Sequence, residues 1–246
     1  MGKIFSIYGS SGAYKTTTSL ALAHNISRIE PKADIIVVGT DTTKPLIPIV
    51  APHESKFDGS LGKCLSNVSF EETDLRRNLL PITDKIMVLG YNIRENENSF
   101  PPPDDTRLAQ IFSYLRSSAD YVIIDCMSTV ITSKMTAWSI MSSTKTVELF
   151  TADINGLVFD GSQEPVLQSE QYQYKHFIRA LALGNSFKQD VAAMRNALGR
   201  ISGEIPFSTH AAEAFNQAAI LRNGVSDSAY NHAINKLAKS LIGGKK

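Results

Sequence analysis

A loop rich in glycine and serine near the N-terminus has the clearest chemistry in the sequence. Gly9, Lys15 and Thr16 fit the frame G-x-x-x-x-[G]-K-[ST], and Tyr14 stands where the second glycine belongs. In such a loop the backbone N–H groups and the following helix N-terminus face a phosphate, the lysine adds positive charge, and the hydroxyl ligates Mg²⁺. The predicted phosphate-binding residues are Gly9, Ser10, Ser11, Gly12, Ala13, Tyr14, Lys15, Thr16 and Thr17.

Tyr14 is the irregular residue of this loop. A glycine at that position tolerates unusual backbone angles and a close approach to phosphate, and a tyrosine does neither easily. The alternative is a plain turn whose lysine and threonines cap a helix. We favour phosphate binding, because the preceding strand, the spacing, Lys15 and Thr16 all agree with it.

Two aspartates come at the ends of apolar runs that predict strands. Asp41 follows the run Asp34–Val38 by three residues, and Asp125 ends the run Tyr121–Asp125. The carboxyl ends of parallel strands lie beside such a loop, where ligands bind. We therefore expect both carboxylates near the Mg²⁺ and phosphate region. The alternative for Asp125 is an aspartate that merely starts a turn.

The elements that must position these residues alternate between strands and helices. The predicted strands are Lys3–Tyr8, Asp34–Val38, Lys85–Leu89, Tyr121–Asp125, Thr146–Phe150, Phe177–Leu183 and Ile201–Ile205. The predicted helices are about Lys15–Ser27, Glu71–Leu80, Asp105–Ser117, Lys188–Leu198, Ala211–Leu221 and Ser226–Leu241, with a polar stretch over Gly161–Tyr174. This alternation predicts one α/β domain over residues 1–246, with a mostly parallel twisted sheet and helices on both faces.

The same segments resemble the ParA/MinD family of deviant-Walker ATPases over nearly the whole chain. Asp120–Asp125 is similar to the family's D-Y-V-I-I-D strand, Ala180–Asn185 to its strand ending near asparagine, and Glu204–Phe207 to its short I-P strand end. The resemblance implies a P-loop NTPase fold that binds ATP and Mg²⁺. It also implies that Asn185 and Pro206 lie beside adenine, although a helix N-cap or a turn is the alternative for Asn185.

The resemblance assigns roles to four further residues. Lys15 and Thr16 would bind phosphate and Mg²⁺. Asp125 would hold Mg²⁺ through water, and Asp41 would orient the attacking water. Family members of this type form dimers on ATP, so we expect an ATP-dependent homodimer.

The sequence departs from the family pattern at three positions. Ser10 stands where the family's signature lysine reaches the partner subunit's nucleotide, Gly39 replaces the first aspartate of a D-x-D motif, and Tyr14 replaces the second glycine. Loss of the lysine removes a cation that stabilises transition-state charge. We therefore expect an ATP binder that hydrolyses slowly or barely at all. Lys44 is an alternative cation, although a solvated loop lysine is the favoured interpretation.

Degenerate P-loops also occur in the TadZ/CpaE branch of this family, which positions pilus-assembly machinery at the cell pole. The leading hypothesis is thus a nucleotide-dependent dimer that recruits a protein partner and positions or assembles a cellular machine, such as a pilus or secretion apparatus. A second hypothesis is a DNA-partition ATPase that binds DNA non-specifically. A third is a scaffold that has kept the fold and lost the nucleotide.

Charge bears on the choice between these hypotheses. A net charge of +1 argues against strong non-specific nucleic-acid binding by the whole chain. Residues 187–246 carry 8 basic and 4 acidic residues. This segment could face DNA, an anionic membrane or an acidic partner, but we favour an ordinary solvated helix surface.

The last predicted helix allows two interpretations. Its apolar residues Ile234, Leu237, Ala238 and Leu241 share one face, and the helix stops at Gly243-Gly244 before two final lysines. A helix lying on a membrane surface would show this pattern. A helix packed on the sheet would show it equally, and we favour packing.

Several features predict a cytoplasmic location. No window of about 18 apolar residues is present, and the N-terminus lacks a signal-peptide cleavage site. Two cysteines, Cys64 and Cys126, cannot build a disulfide framework and fit a reducing compartment. Peripheral contact with the inner face of the membrane is compatible with this prediction.

Overall fold

One mixed sheet organises the chain. The computed structural model describes residues 1–54, 56–185 and 190–243. Within these ranges eight strands pair in the order β3-β4-β2-β5-β1-β6-β7-β8, and only the β3–β4 pair is antiparallel. The strands are β1 Lys3–Gly9, β2 Ile35–Gly39, β3 Leu80–Pro81, β4 Ile86–Leu89, β5 Tyr121–Asp125, β6 Lys145–Thr151, β7 Ile178–Ala182 and β8 Ile201–Ile205.

Helices cover both faces of this sheet. In the described ranges they are α1 Lys15–Ile29, α2 Leu46–Val50, α3 Leu61–Ser66, α4 Glu72–Arg77, α5 Asp105–Ser118, α6 Lys134–Ser142, α7 Ile154–Leu167, α8 Val191–Leu198, α9 Thr209–Asn216, α10 Ile220–Asn223 and α11 Ser228–Ile242. One apolar cluster joins the sheet to α1, α2 and α9 to α11, and two others join it to α3 to α8. The predicted fold class is confirmed.

Helix α7 differs from the expectation of a polar stretch over residues 161–174. It contains two glycines and Pro165, which are unfavourable in helix interiors. Its first turn is nevertheless capped, because the Asp153 carboxylate accepts hydrogen bonds from the N–H groups of Asn155 and Gly156. The helix also packs against β6 and α8. Capping and tertiary contacts therefore outweigh the weak local propensity. The pattern also did not predict α2, α3 and α6.

Three predicted helices have clearly different limits in the structure. The helix expected over Glu71–Leu80 ends at Arg77, and Leu80 lies in β3, which pairs with β4. The helix expected over Ala211–Leu221 is divided into α9 and α10, because Ala218 has a φ of +54°, outside the right-handed helical region. Helix α8 begins at Val191, where the Asp190 side chain accepts a hydrogen bond from Ala193 N–H. The start predicted at Lys188 lies outside the described residues.

The apolar face of α11 is buried against α1 and β8. Ile234 and Ala238 are fully buried, and Leu241 is nearly so. Lys3 Nζ donates to Ile242 O (2.8 Å) at the end of the helix. The packed interpretation of this helix therefore matches the structure. Gly244 and the last two lysines lie outside the described residues, and within those residues no helix combines the length and apolar character needed to cross a membrane.

Candidate functional site

The loop between β1 and α1 has the backbone conformations that the sequence frame requires. Gly9 has a φ of +146°, and a Cβ there would lie 2.0 Å from Leu149 O, so only glycine fits. Tyr14 precedes α1 with φ 53° and ψ 34°, which is the left-handed region. The tyrosine thus adopts the conformation that the missing glycine would favour, at a cost of about 1–2 kcal/mol.

Lys15 lies over this loop and is half-buried. Its Nζ donates to Ser10 O (3.1 Å) and to Ser128 Oγ (2.6 Å). Burial lowers the pKa of Lys15, and the neighbouring Asp125 carboxylate opposes that shift. Both hydrogen-bond acceptors are neutral oxygens. An anion in the loop would be a stronger partner for this ammonium group than either of them.

Thr16 and Asp125 form the adjacent pair. Thr16 Oγ1 donates to Asp125 Oδ2 (2.6 Å), and Asp125 is 5% exposed. Burial raises the pKa of Asp125 to about 6, although the Thr16 hydrogen bond lowers it. Among the described residues, Asp125 Oδ1 has no hydrogen-bond partner. A buried carboxylate oxygen without a partner, beside a hydroxyl group, fits the oxygen ligands that Mg²⁺ prefers.

Asp41 reaches the same edge of the sheet from the neighbouring strand. β2 pairs with β5 so that Gly39 lies opposite Asp125, and Thr40 Oγ1 donates to Asp125 O (3.0 Å). Asp41 Oδ1 accepts hydrogen bonds from Thr43 N–H (2.7 Å) and Lys44 N–H (3.1 Å). The carboxylate therefore stabilises a turn, and it still lines the cavity that contains Lys15.

Ser10 points away from this cavity. It is 2% exposed, and its Oγ accepts a hydrogen bond from Thr151 N–H (2.9 Å) in β6. Thr151 Oγ1 in turn donates to Asp153 Oδ1 (2.7 Å), the cap of α7. The residue at the family's signature-lysine position thus joins the loop to β6 and α7.

Most predicted site residues meet in one cavity of about 350 Å³ at the carboxyl edge of the sheet. The predicted residues that line it are Ser11, Gly12, Tyr14, Lys15, Thr16, Thr17, Asp41 and Asp125. Asn185 follows β7 and is exposed, and Pro206 follows β8, but neither lines this cavity. The neighbour of Pro206, Phe207, contacts the Tyr14 ring at a centroid distance of 6.1 Å.

Ser128 is a site residue that the sequence reasoning missed. It lies in the loop after β5, three residues beyond Asp125, and its hydroxyl accepts the hydrogen bond from Lys15. A signal was available, since any loop that follows a strand ending beside the phosphate loop lies at the same edge.

Gly39 explains one departure from the family pattern. A Cβ at this position would lie 2.4 Å from Leu46 Cβ, because α2 packs directly on the end of β2. The first aspartate of a D-x-D motif therefore has no room here.

We expect Gly39→Ala to lower the free energy of unfolding by about 1–3 kcal/mol, because a methyl group overpacks the contact with Leu46. Urea unfolding measures this change. Gly203→Ala in β8 is the matched control, since a Cβ there meets nothing within 4 Å. Equal changes in the free energy of unfolding for the two substitutions would show that the Leu46 side chain shifts to accommodate the methyl group without a measurable loss of stability.

Comparisons with known proteins bear on the fold. No protein-family model matches the sequence, and no curated protein matches it. The ParA family ATPase from Chlorobium tepidum TLS superposes with a TM-score of 0.79, covering 96% of this chain and 97% of that one at 14% identity. The chain has the ParA/MinD fold.

Two further solved structures share the ParA/MinD fold. MinD from Pyrococcus horikoshii OT3, complexed with Mg-ADP, has a TM-score of 0.76 at 16% identity and covers 98% of this chain and 96% of its own. A single-residue variant of McdA from Cyanothece, complexed with ATP, has a TM-score of 0.66 at 17% identity and covers 100% of this chain and 98% of its own. Solved proteins of this fold therefore include complexes with Mg-ADP and with ATP.

Proposed function

We propose that this chain binds MgATP and acts as an ATP-dependent homodimer that positions or assembles a cellular machine, with slow or absent hydrolysis. The observation that carries the proposal is the meeting of Lys15, Thr16, Asp125 and Asp41 in one cavity at the phosphate loop. Solved proteins with the same fold hold Mg-ADP or ATP, which supports nucleotide binding.

Different residues of the cavity would bind the phosphates and the Mg²⁺ ion. Lys15 would exchange Ser10 O and Ser128 Oγ for phosphate oxygens, because charged partners give stronger hydrogen bonds. Thr16 Oγ1 and Asp125 would hold Mg²⁺, the latter through water. ATP, when bound, supplies the phosphoanhydride bond that water cleaves, and Asp41 would orient that water.

Slow turnover follows from the charges around the cavity. Among the described residues that line it, Lys15 and Lys44 are the cations. Lys44 is exposed, and its N–H group is part of the turn around Asp41. Ser10 supplies no charge and faces β6. The transition state would therefore lack the second preorganised cation on which rapid phosphoryl transfer depends.

Exposed apolar side chains at the carboxyl edge support association with another protein surface. Ile131 follows β5 and Ile154 opens α7 after β6, so the two flank the phosphate loop, and each is 68% exposed. Such a pair on both sides of the loop supports a protein contact only if the two side chains belong to one apolar patch. A solved MinC:MinD complex from Aquifex aeolicus shows that this fold binds a protein partner.

DNA partition is the second candidate, since a plasmid partition protein from Borrelia burgdorferi bound to AMPPNP has the same fold at 12% identity. The exposed Lys236 and Lys239 on α11 would be the contacts. Salt-dependent retardation of random duplex DNA separates this candidate from the first, because phosphate contacts weaken steeply with salt.

Ser10→Lys is expected to raise the rate of phosphate release above that of the wild type. A lysine is too long for the buried position of Ser10 against β6, so its ammonium group would turn outward and add a cation at the phosphate loop. The wild type should hydrolyse ATP very slowly. Its molar mass, measured by light scattering, should still rise to that of a dimer with ATP but not with ADP. Ser10→Ala is the control, since it removes the hydrogen bond with Thr151 without adding charge.

Rapid phosphate release by the wild type would contradict this prediction and make Lys44 the first residue to replace. A mass that stays monomeric with ATP would contradict the proposed dimer. The genes that flank the gene for this protein provide a separate test of its cellular role. Pilus or secretion genes would favour the first candidate, and a gene for a centromere-binding protein would favour DNA partition.

A further inference from the structure

A second cavity lies directly beside the phosphate cavity. Its volume is about 220 Å³, and it shares Tyr14, Thr17 and Phe215 with the phosphate cavity. It has room for about seven water molecules at about 30 Å³ each, so it is larger than a packing defect. The shared residues form the wall between the two cavities, and the second cavity extends from this wall toward α9 and α11.

Aromatic rings form the walls of this second cavity. The Tyr14 ring lies 6.1 Å from the Phe207 ring at an interplanar angle of 56°, and Phe215 lines both cavities. Tyr14 is 41% exposed although it is large and aromatic. Such rings offer flat faces on which a planar heterocycle stacks.

A buried hydroxyl group contributes the polar part of the cavity. Tyr230 lines it and is 3% exposed. Burial raises the pKa of Tyr230, and the nearby Thr18 hydroxyl opposes this only in part. Within the described residues, neither hydroxyl oxygen completes a hydrogen bond of normal geometry. Thr18 lies outside the lining of this cavity and faces Tyr230, so of these two residues only Tyr230 brings a buried hydroxyl group to the cavity wall.

We propose that Tyr14 is a specificity-determining residue whose ring stacks on the purine base of the bound nucleoside triphosphate, while Phe207, tilted by 56° against Tyr14, holds that ring in place. The inference rests on the proposed function, because it takes the phosphates to lie at Lys15. Tyr14 immediately precedes Lys15, so one short segment would touch the phosphates and the base. The tyrosine at this position then contributes to base binding, which accounts for a side chain at a backbone conformation that favours glycine.

The geometry bears differently on the expectations for Asn185 and for the segment of Pro206, which directly precedes Phe207. Neither residue lines either cavity, whereas Phe207 contacts Tyr14 and lines the second one. Base recognition by ring stacking therefore centres on the loop residue and on the segment after β8.

The test compares MgATP with magnesium tripolyphosphate, which has no base, by calorimetry. Tyr14→Phe keeps the ring. Tyr14→Asn removes the ring and suits the left-handed backbone, because asparagine adopts that conformation more readily than most residues. We expect Tyr14→Asn to weaken MgATP roughly tenfold or more and to change tripolyphosphate affinity by less than about twofold. Tyr14→Phe should bind MgATP like the wild type.

Phe207→Leu provides a second variant and should show the same selective loss of MgATP affinity. Equal affinities of MgATP in the wild type and Tyr14→Asn would overturn the inference. Tighter MgATP binding by Tyr14→Asn would also overturn it, because the ring would then be a plug that fills the base position. If the wild type binds neither magnesium tripolyphosphate nor MgATP, the proposed function is refuted, and this inference with it. Unchanged thermal unfolding midpoints would show that the variants are folded.

Discussion

Lys15→Ala is expected to abolish MgATP binding, with an affinity loss of at least about 100-fold. Hydrogen bonds to charged groups contribute about 1.5–3 kcal/mol each, and the wild-type Nζ has two acceptors that phosphate oxygens would replace. The Lys15 side chain is half-buried, so its loss also removes positive charge from a region of reduced dielectric. Isothermal titration calorimetry on both proteins measures the difference.

Lys44→Ala is the matched control for this substitution. Lys44 lines the same cavity, but its side chain is exposed and screened, so its loss should change the affinity only a few-fold. Unchanged affinity in Lys15→Ala would contradict the phosphate-loop assignment. An equal loss in both variants would mean that the cavity responds to total charge and not to the position of Lys15.

The arrangement of strand, loop and helix around Lys15 was predictable because its signal is local. The frame from Gly9 to Thr16 spans eight residues, and Lys15 begins α1 as expected. The buried strand Tyr121–Asp125 has the predicted limits, since a continuous apolar run that ends in an aspartate has few other interpretations. Both features need no knowledge of distant residues.

Features that depend on distant contacts were not predictable. The direction of the Ser10 side chain is set by Thr151, and the absence of an aspartate at Gly39 is explained by Leu46. The hydrogen bond between Lys15 and Ser128 joins residues 113 positions apart. Such contacts exist only once the sheet has assembled, and local patterns do not encode them.

A buried group of charges beneath α7 is the other feature that the sequence did not reveal. Arg179 in β7 donates from Nε to Glu148 Oε2 (3.1 Å) in β6, and its guanidinium also pairs with Asp160 of α7. Its Nη1 donates to Leu198 O (2.6 Å). In register across the sheet, Tyr8 of β1 lies opposite Glu148, two residues before the phosphate loop position Ser10.

This charge group connects the core to the functional edge. Asp160 belongs to α7, and the cap of that helix, Asp153, contacts Thr151, which binds Ser10. Burial raises the pKa of Glu148 to about 8, although Arg179 lowers it. Arg179 is thus the cation that offsets the burial of the Glu148 carboxyl group and pairs with the partly buried Asp160 of the helix.

Arg179→Met is expected to lower the free energy of unfolding by about 3–5 kcal/mol, because it leaves Glu148 and Asp160 buried without their cation. Urea unfolding measures the loss. Arg195→Met is the matched control, since Arg195 pairs with Glu204 at the surface, with side chains 42% and 33% exposed. That substitution should cost less than about 1 kcal/mol.

The loss in Arg179→Met should also grow as the pH rises above about 8, the folded-state pKa of Glu148 in the wild type, because below that pH Glu148 is protonated in both folded proteins. Without the arginine, the folded-state pKa values of Glu148 and Asp160 increase further, because burial is no longer opposed by a positive charge. A carboxylate whose folded pKa is raised takes up a proton at low pH and contributes stability there, and this stability is lost as the pH rises through the folded pKa. A destabilisation that is the same at pH 6 and pH 9 would show that the lost contribution is packing against Phe150 and Tyr174, on whose rings the guanidinium lies, and not charge pairing.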